Sequence, residues 1–258
     1  MPHILFSISS CVSEKPKLLK SASKCSFNTS DDAICLQASL IEKPCSNIVI
    51  TNCVFSSKWA GIRIGLLSRG DFENVLVTNC IFNNINDSGL KIQMCEGGEM
   101  KNMIFSNLIM ENVPRPVFMT FTQQNAWVDA DNEVRPMKRM HDFQFNNIIV
   151  ESNSGGRNCA FIITGLPGHP IENVTLSNIK ATFPGGGTAA DAKNILAEFT
   201  KDNLKGNWPE YSELRKTVPS FGLYVRHVKG LTLHDVELTT LQKDARPAIV
   251  LVDVAKSK

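Results

Sequence analysis

Several common features are missing from this chain, and each absence removes a class of function. No apolar stretch approaches the roughly 18 residues that a membrane span requires, so a membrane role is not expected. Lys and Arg exceed Asp and Glu only by a net charge of +2, and no long basic run occurs, so a nucleic-acid partner is not expected either. The eight cysteines include no CxxC pair and no metal-ligand spacing, which leaves neither a metal nor another cofactor to propose. Free core thiols are the simpler reading of those cysteines than a disulfide framework. The opening MPHILFSISSC is short and lacks a basic leading region, so no signal peptide is read there.

What the chain does have is a nine-residue phrase that recurs six times. The copies begin at Asn47 (NIVITNCVF), Asn74 (NVLVTNCIF), Asn102 (NMIFSNLIM), Asp142 (DFQFNNIIV), Asn173 (NVTLSNIKA) and Gly230 (GLTLHDVEL). Positions 2 and 4 are apolar throughout, from Ile48 and Ile50 to Leu231 and Leu233. Positions 7 and 9 are apolar or small, from Cys53 and Phe55 to Val236 and Leu238. Positions 3 and 8 drift to polar residues such as Gln144, Thr175, Lys180 and Glu237. Alternation with a period of two indicates strands with one buried face. Position 6 is Asn in five copies and Asp235 in the last, which suits a sharp bend and a ladder of amides running from copy to copy.

Within each coil a third short strand occurs: AICLQ at 33–37, GIRIG at 61–65 and GLKIQ at 89–93, with relatives at 118–121, 161–164, 223–225 and 249–252. Three strands per turn with inward apolar columns predict an all-β parallel β-helix, a solenoid whose rungs bury their inner faces only by stacking. Right-handed winding is the default for parallel crossovers. The chain reads as one such domain over 1–258, interrupted by insertions at about 122–141 and 184–221. In the second insertion, Thr188 and Asp191 form a capping pair ahead of AADAKNILAEFTKDNL, which predicts a helix.

Aligning the third strands puts chemistry-bearing residues in register. Asp31, Trp59 and Asp87 share one column, Asp32, Ala60 and Ser88 the next, and Cys35, Arg63 and Lys91 the outward slot of the strand. Rungs lie about 4.8 Å apart, so an acidic pair, an indole and two cations fall within reach of one sugar. Glycoside hydrolysis needs one carboxylic acid to protonate the leaving oxygen and one carboxylate to activate water or attack the sugar. Adjacent cations suit a substrate that is itself acidic. Trp59 and Trp127 are candidates for stacking on sugars, while Asp129, Asp131 and Glu133 alternate in a way that could bind calcium but reads more simply as a solvated acidic loop. His141, His169, His227 and His234 share no column with Asp31 and read as structural or exposed, and Arg226 and His227 lie near a later third strand.

These motifs resemble glycoside hydrolase family 28, the polygalacturonases and their relatives. NTSDDAICLQAS (28–39) is similar to the family's Asp-Asp motif and its strand, SGLKIQ (88–93) stands where the family has Arg-Ile-Lys, and GLPGHPIENVTLSNI and DARPAIVLVDV extend the resemblance to about Val254. The resemblance implies inverting hydrolysis of a pectin-type polysaccharide built from galacturonic acid or rhamnogalacturonan linkages, with a secreted or periplasmic location. It implies that Asp31 is the general acid and Asp32 one of the two Asp residues that hold the attacking water. It implies substrate binding by Lys91, at the place of the motif's Arg, and by Gln93, at the place of its Lys, with Trp59 and Arg63 beside them. The family's Asn-Thr-Asp motif has no counterpart, since residues 1–27 contain no Asp, and its Gly-His-Gly stands here as Trp59-Ala60-Gly61. The N-terminal coils of the family are expected to be missing. Two alternatives therefore stand beside the hydrolase: a β-helix fragment that only binds carbohydrate or serves as scaffold, and a polysaccharide lyase. Long insertions that can close one end of a groove favour an exo mode.

Overall fold

The structure is a computed structural model that describes residues 7–8, 20–94, 97–121, 137–200 and 217–256. β1 (Ser7–Ile8) stands one rung ahead of β4 on the third-strand face, and the coil that follows it holds β2 (Lys20–Ser23), β3 (Ser26–Thr29) and β4 (Ile34–Ala38). The next holds β5 (Cys45–Thr51), β6 (Val54–Ser57) and β7 (Ile62–Ser68). From there the two halves of the repeat fuse into one bent strand per coil. These are β8 (Phe72–Ile85), β10 (Met100–Glu111), β12 (Met140–Glu151) and β14 (Ile171–Phe183). The third strands are β9 (Ser88–Met94), β11 (Arg115–Phe121) and β13 (Phe161–Thr164). The long β15 (Leu223–Thr240) carries a third strand and the last repeat together, and β16 (Ile249–Lys256) closes the described chain.

Every strand pairs in parallel with its counterpart one coil away, and the register follows the repeat: Ile48 opposite Val75, Val75 opposite Met103, Met103 opposite Phe143, Phe143 opposite Val174. This is a right-handed parallel β-helix. The inward columns are as the alternation requires. Ile48, Val75, Met103, Phe143 and Val174 are buried at position 2, and Cys53, Cys80, Leu108, Ile148 and Ile179 at position 7. Rings stack along the axis, with centroids 5.1 Å apart for Phe27 and Phe55, 4.9 Å for Phe55 and Phe82, and 5.0 Å for Phe105 and Phe145. The six described cysteines are free thiols, and burial pushes Cys80 up to about 11, beyond reach of ordinary thiolate chemistry. Cys11 and Cys95 lie outside the described residues.

The coil turns its corners on left-handed residues. Position 6 does so as expected, from Asn52 (φ 54) to Asp235 (φ 50). Position 1 does the same, with Asn47, Asn74, Asn102, Asp142, Asn173 and Gly230 all at positive φ, a second bend that the recurring Asn there also encoded. Amides link the rungs: Asn102 donates to Asn74, Asn107 to Asn79 and Asn147 to Asn107, at 2.8–3.2 Å. The ladder slips once, where Asn178 donates to Asn146 rather than Asn147.

One rung lacks the favoured residue. The pairing of Ser23 with Thr51 puts Lys24, at φ 56, in the column of Asn52. A Cβ-bearing residue without a local polar partner pays roughly 1–2 kcal/mol in this region, which Asn largely avoids. Lys24→Asn is expected to stabilise the fold by about 1 kcal/mol, read as a higher denaturation midpoint with unchanged slope. An unchanged midpoint would contradict that account of the corner.

The helix expected after Thr188 does not form. The capping pair is present: the Asp191 carboxylate accepts from the Thr188 N–H (2.8 Å) and hydroxyl (2.7 Å), and the Asp191 N–H donates back to that hydroxyl (3.2 Å). Only a single 3₁₀ turn over Asp191–Lys193 follows, and Asn194 is extended (ψ 130). Tertiary bonds straighten the segment. Asn194 donates to the Thr217 carbonyl, and the carbonyls of Leu196 and Ala197 accept from Arg226 instead of from a helical turn. Residues 201–204 of the expected helix, like 122–136 of the other insertion, lie outside the described residues.

Candidate active site

The third strands form one outward face, ordered β1, β4, β7, β9, β11, β13, β15, with β16 beyond. Because side chains alternate, Ile34, Leu36, Ile62, Ile64, Leu90 and Ile92 point into the core and the residues between them point out. Cys35 pairs with Arg63 and Arg63 with Lys91, as the sequence alignment requires. The turn that leads into β4 carries Asp31 and Asp32. Its backbone is braced by hydroxyls, with Thr29 (2.5 Å) and Ser57 (2.7 Å) both donating to the Asp31 carbonyl.

The two carboxylates have different surroundings. Asp31 is exposed, and its side chain accepts only from the Asp32 N–H (2.8 Å) among the described bonds. Asp32 is largely buried. One oxygen accepts from the Ala60 N–H (3.0 Å), and the other faces the Arg63 guanidinium at 3.3 Å. Burial raises the Asp32 pKa; Arg63, the Ala60 N–H and Lys91 pull it down without cancelling that effect, and Asp31 adds to the rise. A raised pKa makes Asp32 a stronger proton acceptor once ionised. The same desolvation, with Asp32 second, pushes the neighbouring Cys35 thiol up to about 12, which leaves it protonated and inert.

Arg63, Lys91 and Gln93 lie beneath this pair as a buried polar floor, at 4%, 0% and 0% exposure. Arg63 also donates to the Gln93 side-chain oxygen (2.6 Å). Lys91 donates to Asp87 (2.8 Å), and its ammonium sits 5.1 Å from the centre of the Trp59 ring. Trp59 is partly exposed, and the Ser57 hydroxyl accepts from its backbone N–H. The structure thus brings Asp31, Asp32, Trp59, Arg63, Lys91 and Gln93 together, but it gives surface mainly to Asp31 and Trp59. The three residues of the floor act on those above them.

Arg115 belongs to this site and went unnoticed in the sequence. It pairs in register with Ser88, donates to the Ser88 hydroxyl (3.4 Å) and forms an ion pair with Asp87. Burial pushes the Asp87 pKa up, but Arg115 and Lys91 outweigh it and hold the carboxyl below its ordinary range. Extending the column of Asp32, Ala60 and Ser88 by one coil would have found Arg115. The histidines are engaged elsewhere: His141 with Asp142 and Glu99, His227 with Asp253 and Glu198, His234 with Asp235, while the backbone of His169 bridges to Leu166. Trp127, Asp129, Asp131 and Glu133 lie outside the described residues. Among the described residues, no group of three or more His, Cys, Asp or Glu side chains is arranged to hold a metal ion, and no helix is long and apolar enough to cross a membrane.

Comparison with known proteins places these observations. Residues 21–201 match the family model described as glycosyl hydrolases family 28. The fold aligns with a family 28 exopolygalacturonase from Yersinia enterocolitica at 15% identity and a TM-score of 0.62, covering 92% of this chain and 36% of that one. A second alignment, to a hyperthermoactive exopolygalacturonase from Thermotoga maritima, has 17% identity and a TM-score of 0.48, covering 63% of this chain and 38% of that one. This chain therefore spans just over a third of the length of each, and the likeness to the Yersinia enterocolitica structure is one of fold. No curated protein sequence matches.

Proposed function

This chain belongs to glycosyl hydrolases family 28, and on that footing we propose that it cleaves glycosidic bonds of a pectin-type polysaccharide, built from galacturonic acid or rhamnogalacturonan linkages, by inverting acid–base hydrolysis. The observation that carries the reading is the unequal carboxylate pair at the mouth of β4: consecutive residues, Asp31 exposed and Asp32 desolvated. Asp31 is placed to deliver a proton to the leaving oxygen. Asp32, with raised proton affinity, takes the proton from the attacking water. Arg63 keeps enough negative charge on Asp32 for it to act as a base, and its positive field together with that of Lys91 draws a carboxylated polymer toward the face. Trp59, held by the Lys91 ammonium, offers a ring to the sugar, and Arg115 offers a surface cation two coils further on. A polymer of this kind is met outside the cytoplasm, so we place the activity in the periplasm or beyond the cell.

The test is the release of reducing ends from polygalacturonate and from rhamnogalacturonan, with the anomer of the first-formed product followed by NMR. New reducing ends of inverted configuration are expected. Retained configuration would refute single displacement. A folded, β-rich sample that binds oligogalacturonides and releases nothing would replace the hydrolase with a carbohydrate-binding scaffold.

A further inference from the structure

We propose that residues 194–200 are the end wall of the sugar groove, and that Arg226 and His227 are positioning residues that hold the wall in place and so confine cleavage to the end of a polymer chain. The proposal rests on the hydrolase reading above and goes on to say which bonds such an enzyme can reach.

The outward column of the third-strand face changes character midway. Over β4, β7 and β9 it reads Cys35, Arg63, Lys91; over β11, β13 and β15 it reads Phe118, Ile162, Tyr224. These last three are only 0–3% exposed although they point away from the core, and whereas the equally buried Arg63 and Lys91 bond to polar partners, here the cover is apolar. Together with Ala160 they form a second apolar cluster whose other buried members, Leu196 and Val218, come from the insertion. The groove that begins at Asp31 therefore runs into a packed segment at Phe118. From β4 to β11 is three rungs, about 14 Å, which admits roughly two or three sugar rings. A linear polymer cannot thread past a surface that is already covered, so its end must lie within that distance.

The wall is pinned where it crosses β15. Arg226, itself 4% exposed, donates to the Leu196 carbonyl (3.2 Å) and the Ala197 carbonyl (2.8 Å). The next residue, His227, bridges Glu198 (2.7 Å) and Asp253 (2.6 Å). Three consecutive residues of the wall are thus fixed by two consecutive residues of one strand. Buried guanidinium bonds to carbonyls are strong, so this crossing resists displacement.

The double variant Arg226→Met, His227→Asn removes both anchors; Asn suits the left-handed backbone at 227 (φ 51). Far-UV circular dichroism establishes that the coil is intact, and hydrogen exchange over 194–200 reports the loosened wall. On polygalacturonate, the wild type is expected to release only mono- to tri-galacturonate from the earliest times, and the variant to release longer oligomers while still cleaving trigalacturonate. Arg226→Lys, which can still donate to a carbonyl, should retain the short-product pattern. An active wild type that already yields long oligomers, or a loosened variant with unchanged products, overturns the wall and leaves the hydrolase standing. A wild type that cleaves neither polymer nor trimer overturns the hydrolase reading, and the wall as a limit on cleavage with it.

Discussion

Asp31→Asn is expected to lower reducing-end release by roughly 100- to 10,000-fold, the usual contribution of a positioned general acid. The fold should be unaffected. The Asp31 side chain is exposed, and the turn it sits on is held through its backbone carbonyl by Thr29 and Ser57, bonds that an Asn at 31 leaves in place. An aryl galacturonide with an activated leaving group needs no proton, so it should restore much of the activity to Asp31→Asn and little to Asp32→Asn. The opposite rescue pattern would exchange the two roles, and the raised pKa of Asp32 gives that exchange a physical basis, because a carboxyl that keeps its proton is also suited to donate one. Full activity of Asp31→Asn toward polymer would remove this residue from the chemistry.

The second large effect concerns Arg63. Its guanidinium and the Asp32 carboxylate are both buried, with side-chain exposures of 5% and 10%. Taking one partner from such a pair costs about 3–5 kcal/mol, because the other charge is left desolvated. Arg63→Gln should therefore lower the thermal midpoint markedly at neutral pH. The dependence on pH has a definite sign. Asp32 has a folded pKa above its unfolded value, so its protonated form favours the fold, and that stability is lost as pH rises through the folded pKa. Without Arg63 the folded pKa rises further and the loss extends to higher pH. The destabilisation should therefore be greatest at neutral pH and shrink in acid. Whatever activity survives should show its acid limb moved to higher pH, because Asp32 must be ionised to accept a proton. A limb that stays in place would mean that Asp32 is not the group titrating there.

Most of the solenoid was legible because its determinants are local and repeated. Alternation at positions 2, 4, 7 and 9 fixes the inward face of every rung, and a slip of one residue would turn Phe55, Phe82 and Phe145 outward together. The columns that assembled Asp32, Arg63 and Lys91 were legible for the same reason, since register carries over from coil to coil. The second corner was equally present in the Asn of position 1 and was missed only because that residue read as the start of a strand. Two features were not open to sequence reasoning. The floor of the site depends on where long side chains turn: Lys91 could have reached solvent, and instead folds under Trp59 toward Asp87. The segment after Asp191 has the pattern of a helix, but bonds from Arg226, far along the chain, outweigh its weak local preference.

The wall and the carboxylates come from opposite ends of the described coil. Asp31 and Asp32 lead into β4, whereas Arg226 and His227 belong to β15 and the apolar cluster that includes Leu196 of the wall begins only at β11, which leaves β7 and β9 between the acids and that cluster. A solenoid of this kind couples only neighbouring turns, so a change in the insertion does not disturb the turn that holds the acids. Lineages built on this plan can lengthen, shorten or recompose the strap, and so change which part of a polymer is digested, without searching again for a working reaction centre. With the roles proposed above, chemistry and reach would be separately heritable traits in this architecture.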